Sequence, residues 1–314
     1  PSPPRFYCGG VENRYAVMVR VPVFRKCLES LLAVALFTVP AWSQSLPSIN
    51  TATLEERSWF ARSELLSGNV NAALKQAQET QKLCERAVAG KRLDDDPHLV
   101  VALGAAFEVE AQSLDRLHQK AEAVQLLENA LNVWGRTSIA ARLRKNLNLL
   151  TLEGKPLPLL RASEWIGARR PLTREALRGK VVLIFFWAHW CADCKAEAPV
   201  LQHLAPKLEP RGLIVIAPTQ RYGYTALSEN APVVEENKFI DQVFLRFYSQ
   251  IPAISAPLDN GNFERFGVST TPTLVLADKQ GIVRLYHPGY LDEDELQAAI
   301  ERLLGPVSKG SGVK

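Results

Sequence analysis

The sequence predicts an all-α helical-hairpin region followed by an α/β region. Three observations predict this. Alanine-rich segments between 51 and 150 carry apolar residues at helical spacing. An apolar, β-branched and aromatic run over 181–187 leads into Cys191-Ala192-Asp193-Cys194. Thr270-Thr271-Pro272-Thr273 precedes two short strand patterns joined by a turn.

The N-terminal stretch reads as an address. From Met18, Arg20, Arg25 and Lys26 precede an apolar run over 31–39 and then Pro40-Ala41-Trp42-Ser43. That order is the pattern of a secretory signal peptide cut before Gln44, with 1–17 as an upstream mis-start. The apolar run is too short for a hydrocarbon layer of ~30 Å, so no stable membrane span is expected. No Leu-x-x-Cys lipobox lies at this end. The segments expected are therefore 1–43 for the upstream part and signal peptide, 44–152 for the helical region, 153–305 for the α/β region, and 306–314 for a disordered tail.

Charge excludes some partners. The net charge is +4, and residues 1–43 hold five Lys/Arg against two acids, which leaves 32 basic and 31 acidic residues beyond them. That balance offers no footprint for nucleic acid.

Within the helical region the spacing predicts helices over 51–66, 70–89, 97–118, 120–134 and 137–150. Asp94-Asp95-Asp96-Pro97 reads as the N-terminal cap of the third. Residues 66–74 resemble 117–125 at an offset of 51, each a helix end, a short polar turn and an alanine-rich return. These hairpins resemble tetratricopeptide-like hairpins, although the 34-residue period and the Trp and Pro positions of that family are not matched. The resemblance implies a possible protein partner at this region; a simple α-bundle is the alternative. Cys84 lies on the stripe Val70, Ala73, Leu74, Ala77, Cys84, Ala87, Val88, which predicts a buried core thiol, with an intermolecular or resolving role as the other reading.

Leu152-Glu153-Gly154-Lys155-Pro156-Leu157-Pro158 ends the helical pattern. Beyond it the pattern predicts a buried strand over 181–187, a helix over 195–208 and a strand over 213–217. An amphipathic helix follows over 230–250, with Val233, Ile240, Val243, Phe244 and Phe247 on one face. A hairpin of strands 273–277 and 282–286 comes next, and then a helix over 293–304 opened by a capping box of Asp292 and Glu295.

The two cysteines carry the chemistry. Cys191 falls at a helix N-terminus, where unpaired N–H groups and the helix dipole favour a thiolate, so it is the attacking sulfur. Cys194 lies one turn on and is within reach to resolve a mixed disulfide, closing a Cys191–Cys194 bridge. A bare Cys-x-x-Cys could also be half a zinc site. That needs two more ligands, and only His189 and His203 are near in sequence, neither at a zinc spacing.

Trp190-Cys191-x-x-Cys194 after a buried strand, led in by Gly179-Lys180-Val181-Val182 and followed by Lys195-Ala196-Glu197-Ala198-Pro199, resembles the thioredoxin superfamily. Within it the nearer likeness is to TlpA/ResA-like extracytoplasmic thiol-disulfide oxidoreductases, over about 154–304. The resemblance implies a central mixed sheet flanked by helices and a cis Pro272 facing the cysteines. Thr271 would then present backbone groups to a substrate strand. Trp190 would shield the sulfur pair. The chain departs from thioredoxins at Phe185, where they carry a buried aspartate. Glu197 matches a glutamate of the TlpA/ResA-like group and is the candidate proton carrier, with a solvated first-turn helix acid as the other reading.

The expected activity is reduction of protein disulfides in the periplasm or outside the cell, with catalytic Cys191, Cys194 and Glu197 and substrate-binding Trp190, Thr271 and Pro272. Asp193 places negative charge near the attacking thiolate, which argues for a reductase over an oxidant. No cofactor and no metal is implied. The partners implied are protein disulfide substrates and an electron-donor thiol protein. A peroxidase of the peroxiredoxin kind would want a Thr where this chain has Ala188. The competing class is an interaction or adaptor protein carrying the fold with little turnover.

Overall fold

The computed structural model describes residues 49–167 and 169–306. The signal peptide and mis-start expected over 1–43, and all but the first residue of the expected 306–314 tail, lie outside the described residues.

Helices α1 (Thr51–Leu66) and α2 (Val70–Val88) form the first hairpin, and α3 (Pro97–Arg116) and α4 (Lys120–Trp134) the second. Helix α5 (Ala140–Thr151) follows. Asn50 caps α1 by accepting from Ala52 N–H. Asp96 caps α3 by accepting from His98 and Leu99 N–H, with Pro97 in the first turn, where its missing N–H costs nothing. The acidic trio divides its work: Asp95 pairs with Arg92, and Asp94 accepts from Ser138 N–H and Oγ.

The hairpins repeat in structure at a spacing of fifty, not 51. Ser67 and Leu117 N–H donate to Ser63 and Ser113 carbonyls, and Asn69 and Gln119 N–H to Glu64 and Leu114 carbonyls. Gly68 and His118 both take positive φ, and Ala73 and Ala123 are both fully buried. Aligning Leu66 with Leu117 slips the match by one, because the left-handed turn residue fixes the register and not the leucine. Cys84 is fully buried, as its stripe predicts, and burial pushes its thiol up to about 12.

The α/β region adds six strands in the order β1-β4-β3-β2-β5-β6. They are β1 (Glu164–Gly167), β2 (Val181–Phe186), β3 (Leu213–Ile216), β4 (Ser255–Leu258), β5 (Thr273–Ala277) and β6 (Val283–Pro288). Central β2 runs parallel to β3 and antiparallel to β5, so the sheet is mixed. Every residue of β2 is buried because both faces of the sheet are covered. Val181, Leu183 and Phe185 face a core with helices α7 (Ala192–Leu208), α8 (Val233–Phe247) and α10 (Glu293–Leu304). Val182, Ile184 and Phe186 face Leu152, Leu157, Phe263 and Phe266.

Elements the pattern does not predict are β1, β4, the single turn α6 (Arg174–Leu177) and α9 (Asn260–Phe266). Helix α8 is shorter than its expected range. Pro232 precedes it, Val233 is exposed, and Glu236 joins Ile240, Val243 and Phe244 on the buried side. The capping box at α10 does not form: Asp292 makes no side-chain cap bond, and its carbonyl accepts from Leu296 N–H instead.

The helical region packs against the sheet region. Leu152 is buried in the same core as Val182 and Phe263, and Asn148 Nδ2 donates to the Phe266 carbonyl at 2.8 Å. Among the described residues no helix is long and apolar enough to cross a membrane.

Candidate redox site

Strand β2 ends at Phe186, and Trp187 then turns back toward β3, its N–H donating to Pro218 O and its Nε1 to Ala217 O. This fixes the turn that carries the cysteines. Cys191 is the N-cap of α7, in extended backbone with φ −71° and ψ 116°, and its Sγ accepts from Cys194 N–H at 3.0 Å. A sulfur in the capping position takes the field of the helix N-terminus directly, and negative charge there is stabilised. The two cysteines are joined as a disulfide with their Cα atoms 5.3 Å apart. Cys191 is 3% exposed and Cys194 0%. Both are buried, Cys194 completely.

The Thr271–Pro272 peptide is cis. Thr271 O lies 3.4 Å from Cys191 Sγ, so the segment before β5 faces the disulfide, as the resemblance implies. Pro272 is held by Gly289 N–H donating to its carbonyl at 2.8 Å. Thr271 Oγ1 is buried with no hydrogen-bond partner. Trp190 is 44% exposed, its ring edge-on to Tyr222 at 5.5 Å.

Glu197 is 0% exposed and so is no solvated helix acid. One carboxylate oxygen accepts from Leu291 N–H at 3.3 Å, and the other is buried without a partner. Burial pushes its carboxyl up to about 7; the Leu291 N–H opposes this and Asp292 adds to it. The sequence does hold a signal for this burial. Cys194, Glu197, Ala198, Leu201, Leu204, Ala205 and Leu208 share one buried face of α7 at helical spacing.

Phe185 stands where thioredoxins carry their acid, buried against Tyr248 at 5.7 Å. Asp193 is exposed, so water screens its charge at the sulfur. Of the two histidines near the motif, His189 turns to the Tyr224 carbonyl and His203 to Glu293. Among the described residues no three His, Cys, Asp or Glu side chains are grouped to hold a metal ion. The loop carrying Leu291 and the aromatic residues Tyr222 and Tyr224 escape the sequence reading, because no motif marks them.

Comparison with known proteins places this geometry. A family profile described as a thioredoxin-like domain matches residues 173–304. The thiol:disulfide interchange protein DsbE of Pseudomonas fluorescens biotype C is 29% identical over 156 residues, 48% of this chain and 77% of that protein. The thiol-disulfide oxidoreductase ResA of Bacillus thuringiensis is 26% identical over 152 residues, 48% of this chain and 78% of that protein. A solved thiol-disulfide isomerase from Corynebacterium glutamicum is 22% identical, with a TM-score of 0.39 over 48% of this chain and 97% of that one. Residues 173–304, which contain the Cys191–Cys194 pair, therefore form a thioredoxin-like domain whose homologues are thiol-disulfide oxidoreductases named DsbE and ResA.

Proposed function

We propose that the chain is an exported protein-disulfide reductase working through Cys191 and Cys194. The observation that carries the thiol–disulfide chemistry is the Cys191 sulfur in the N-cap of α7, bonded to Cys194 and 3.4 Å from Thr271 O. In the reduced protein the Cys191 thiolate attacks one sulfur of a client disulfide. This forms a Cys191–client bond and releases one client thiolate. Cys194, deprotonated, then attacks Cys191 Sγ, expels the second client thiolate and closes the Cys191–Cys194 bond. Two electrons pass to the client, and an external dithiol protein returns them. The client segment lies along Thr271 and Pro272, with Trp190 over the sulfur pair. No cofactor beyond the thiols takes part.

Export, to the periplasm or beyond the cell, is supported by the signal-peptide pattern over 1–43. We divide the rest into a tetratricopeptide-like domain over 44–152 and the thioredoxin-like domain over 153–305. The helical domain is the candidate surface for recruiting a client or donor protein. The test is insulin reduction together with a redox titration. Reduction of insulin by the full chain, with a Cys191–Cys194 potential below that of the client, supports the reading. A strongly oxidising potential would reverse the direction of electron flow.

Glu197 is the proposed base for the Cys194 proton. With its carboxyl pushed up to about 7, it is protonated below that pH and ionised above it. The resolving step should therefore accelerate as pH rises through about 7. Glu197→Gln should flatten that inflection and slow the step above pH 7 by on the order of a hundredfold, with the fold intact. Stability gives an independent reading of the same group. A carboxyl raised by burial stabilises the fold fully below its ordinary 4.5, and that contribution is lost as pH rises toward about 7. Glu197→Gln should remove this slope. A pH–rate profile unchanged by the substitution would return Glu197 to a purely structural place.

A further inference from the structure

The turn that carries the cysteines also holds a buried histidine that the disulfide chemistry does not use. His189 is 0% exposed. Its Nε2 donates to the Tyr224 carbonyl at 2.9 Å, and its Nδ1 is buried without a partner. Tyr222, Tyr224 and Phe239 enclose the ring at centroid distances of 5.6, 5.6 and 5.4 Å. An apolar ring would fill this cage without leaving a nitrogen unpaired. What the imidazole adds is its one bond.

That bond joins two parts of the chain that matter to Cys191. One is the Trp-Cys turn itself, two residues upstream of the sulfur. The other is the loop 219–232 between β3 and α8. The loop is closed at its base by Ala231 N–H donating to Gly223 O at 2.9 Å, and its Gly223 amide donates to the buried Glu236 of α8. Its tip is solvated, with Leu227 98% exposed. Tyr222 of this loop meets Trp190 edge-on. The half-exposed indole beside the attacking sulfur therefore rests on Tyr222, whose ring also lines the His189 cage and whose N–H donates to Glu236.

We propose that His189 is a positioning residue that fixes the 219–232 loop as one wall of the groove through which protein disulfides reach Cys191, the Thr271 segment being another. The inference rests on the redox reading above and narrows its substrate class. The groove so built favours an extended protein segment with an apolar side chain beside its cysteine, which Trp190 and Tyr222 can cover. A small soluble disulfide touches neither wall and does not need the loop in place.

The test uses the full chain and two acceptors: insulin as protein disulfide, turned over with dithiothreitol as the electron source, and 5,5′-dithiobis(2-nitrobenzoate) as small disulfide, reacted with the pre-reduced chain after the dithiothreitol has been removed. His189→Phe keeps an aromatic ring and loses the donor to Tyr224. It should raise the KM for insulin about tenfold while leaving kcat and the small-disulfide rate near wild type. Its amides over 220–231 should exchange faster with solvent. His189→Gln offers an amide near the Nε2 position and should restore the KM. His189→Asn, whose amide matches Nδ1 and falls short of Tyr224, should behave like the Phe variant, and it carries the test if that variant does not fold. An unchanged insulin KM alongside faster loop exchange would overturn the proposal. So would an equal loss on both acceptors, which would assign His189 to the sulfur chemistry itself. A wild-type protein inert toward both disulfides would sink the redox reading, and this inference with it.

Discussion

Cys194→Ser is expected to accumulate mixed disulfides between Cys191 and client proteins, on the order of tenfold or more above wild type, and Cys191→Ser to trap none. The asymmetry follows from where the two sulfurs sit. Cys191 caps α7, its Sγ accepts the Cys194 N–H, and its thiolate faces the N-terminal end of a 17-residue helix. Cys194 is inside the first turn and 0% exposed, so a client disulfide cannot reach it without displacing Cys191. Removing Cys194 leaves the first attack intact and blocks the second, and the complex persists. Removing Cys191 leaves a buried thiol with no access. Non-reducing electrophoresis of both variants after alkylation reads this directly. Equal trapping by the two would sink the assignment of nucleophile and resolver, and trapping by neither would argue against turnover altogether.

Much of this site was legible in the sequence. The cysteine spacing, the buried run before it and the helix after it are local features, and local features survive into the fold. The cis state of Pro272 was legible only through the family resemblance, since a Thr-Pro pair by itself is far more often trans. Glu197 lay between. Its place on the apolar stripe of α7 was visible, yet the Leu291 segment that covers it comes from 94 residues away. No pattern along the helix could report that cover.

What escaped was non-local or weakly patterned. Strand β4 is Ser255-Ala256-Pro257-Leu258, short, with a proline and no β-branched residue, and it becomes a strand by pairing with β1 in register Ile166 to Ala256. Helix α9 has seven residues and three buried side chains, too few turns for a helical period to register. The His189 cage is likewise built by tertiary contact, from a loop and a helix whose caging residues follow His189 by more than thirty residues. The packing of α5 on α9 has the same origin.

That packing sets the second large effect, at Gly267. This residue ends α9 in the left-handed region, at φ 65° and ψ 39°, where a side chain costs about 1 kcal/mol or more. It also lies against α5. A Cβ at Gly267 would fall 2.5 Å from Lys145 N and 2.6 Å from Arg144 C, both backbone atoms in the middle of a helix. Neither can step aside as a flexible side chain would, and α9 cannot retreat freely. Asn148 Nδ2 and Tyr286 Oη both donate to the Phe266 carbonyl beside it. Gly267→Ala must therefore separate α5 from α9 or break those bonds, adding an overpacking cost of about 1–3 kcal/mol to the conformational one. A total near 2–4 kcal/mol is a large share of the ~5–15 kcal/mol that holds an ordinary domain folded. Gly68→Ala is the control, because Gly68 also has positive φ, at 85°, but open space around its Cβ position. It should lose only the conformational part. Urea unfolding of the two variants separates the cases. A Gly267→Ala midpoint well below that of Gly68→Ala means that the helical region and the sheet are held by direct backbone contact; similar midpoints would mean that α5 can move away from α9 at little cost.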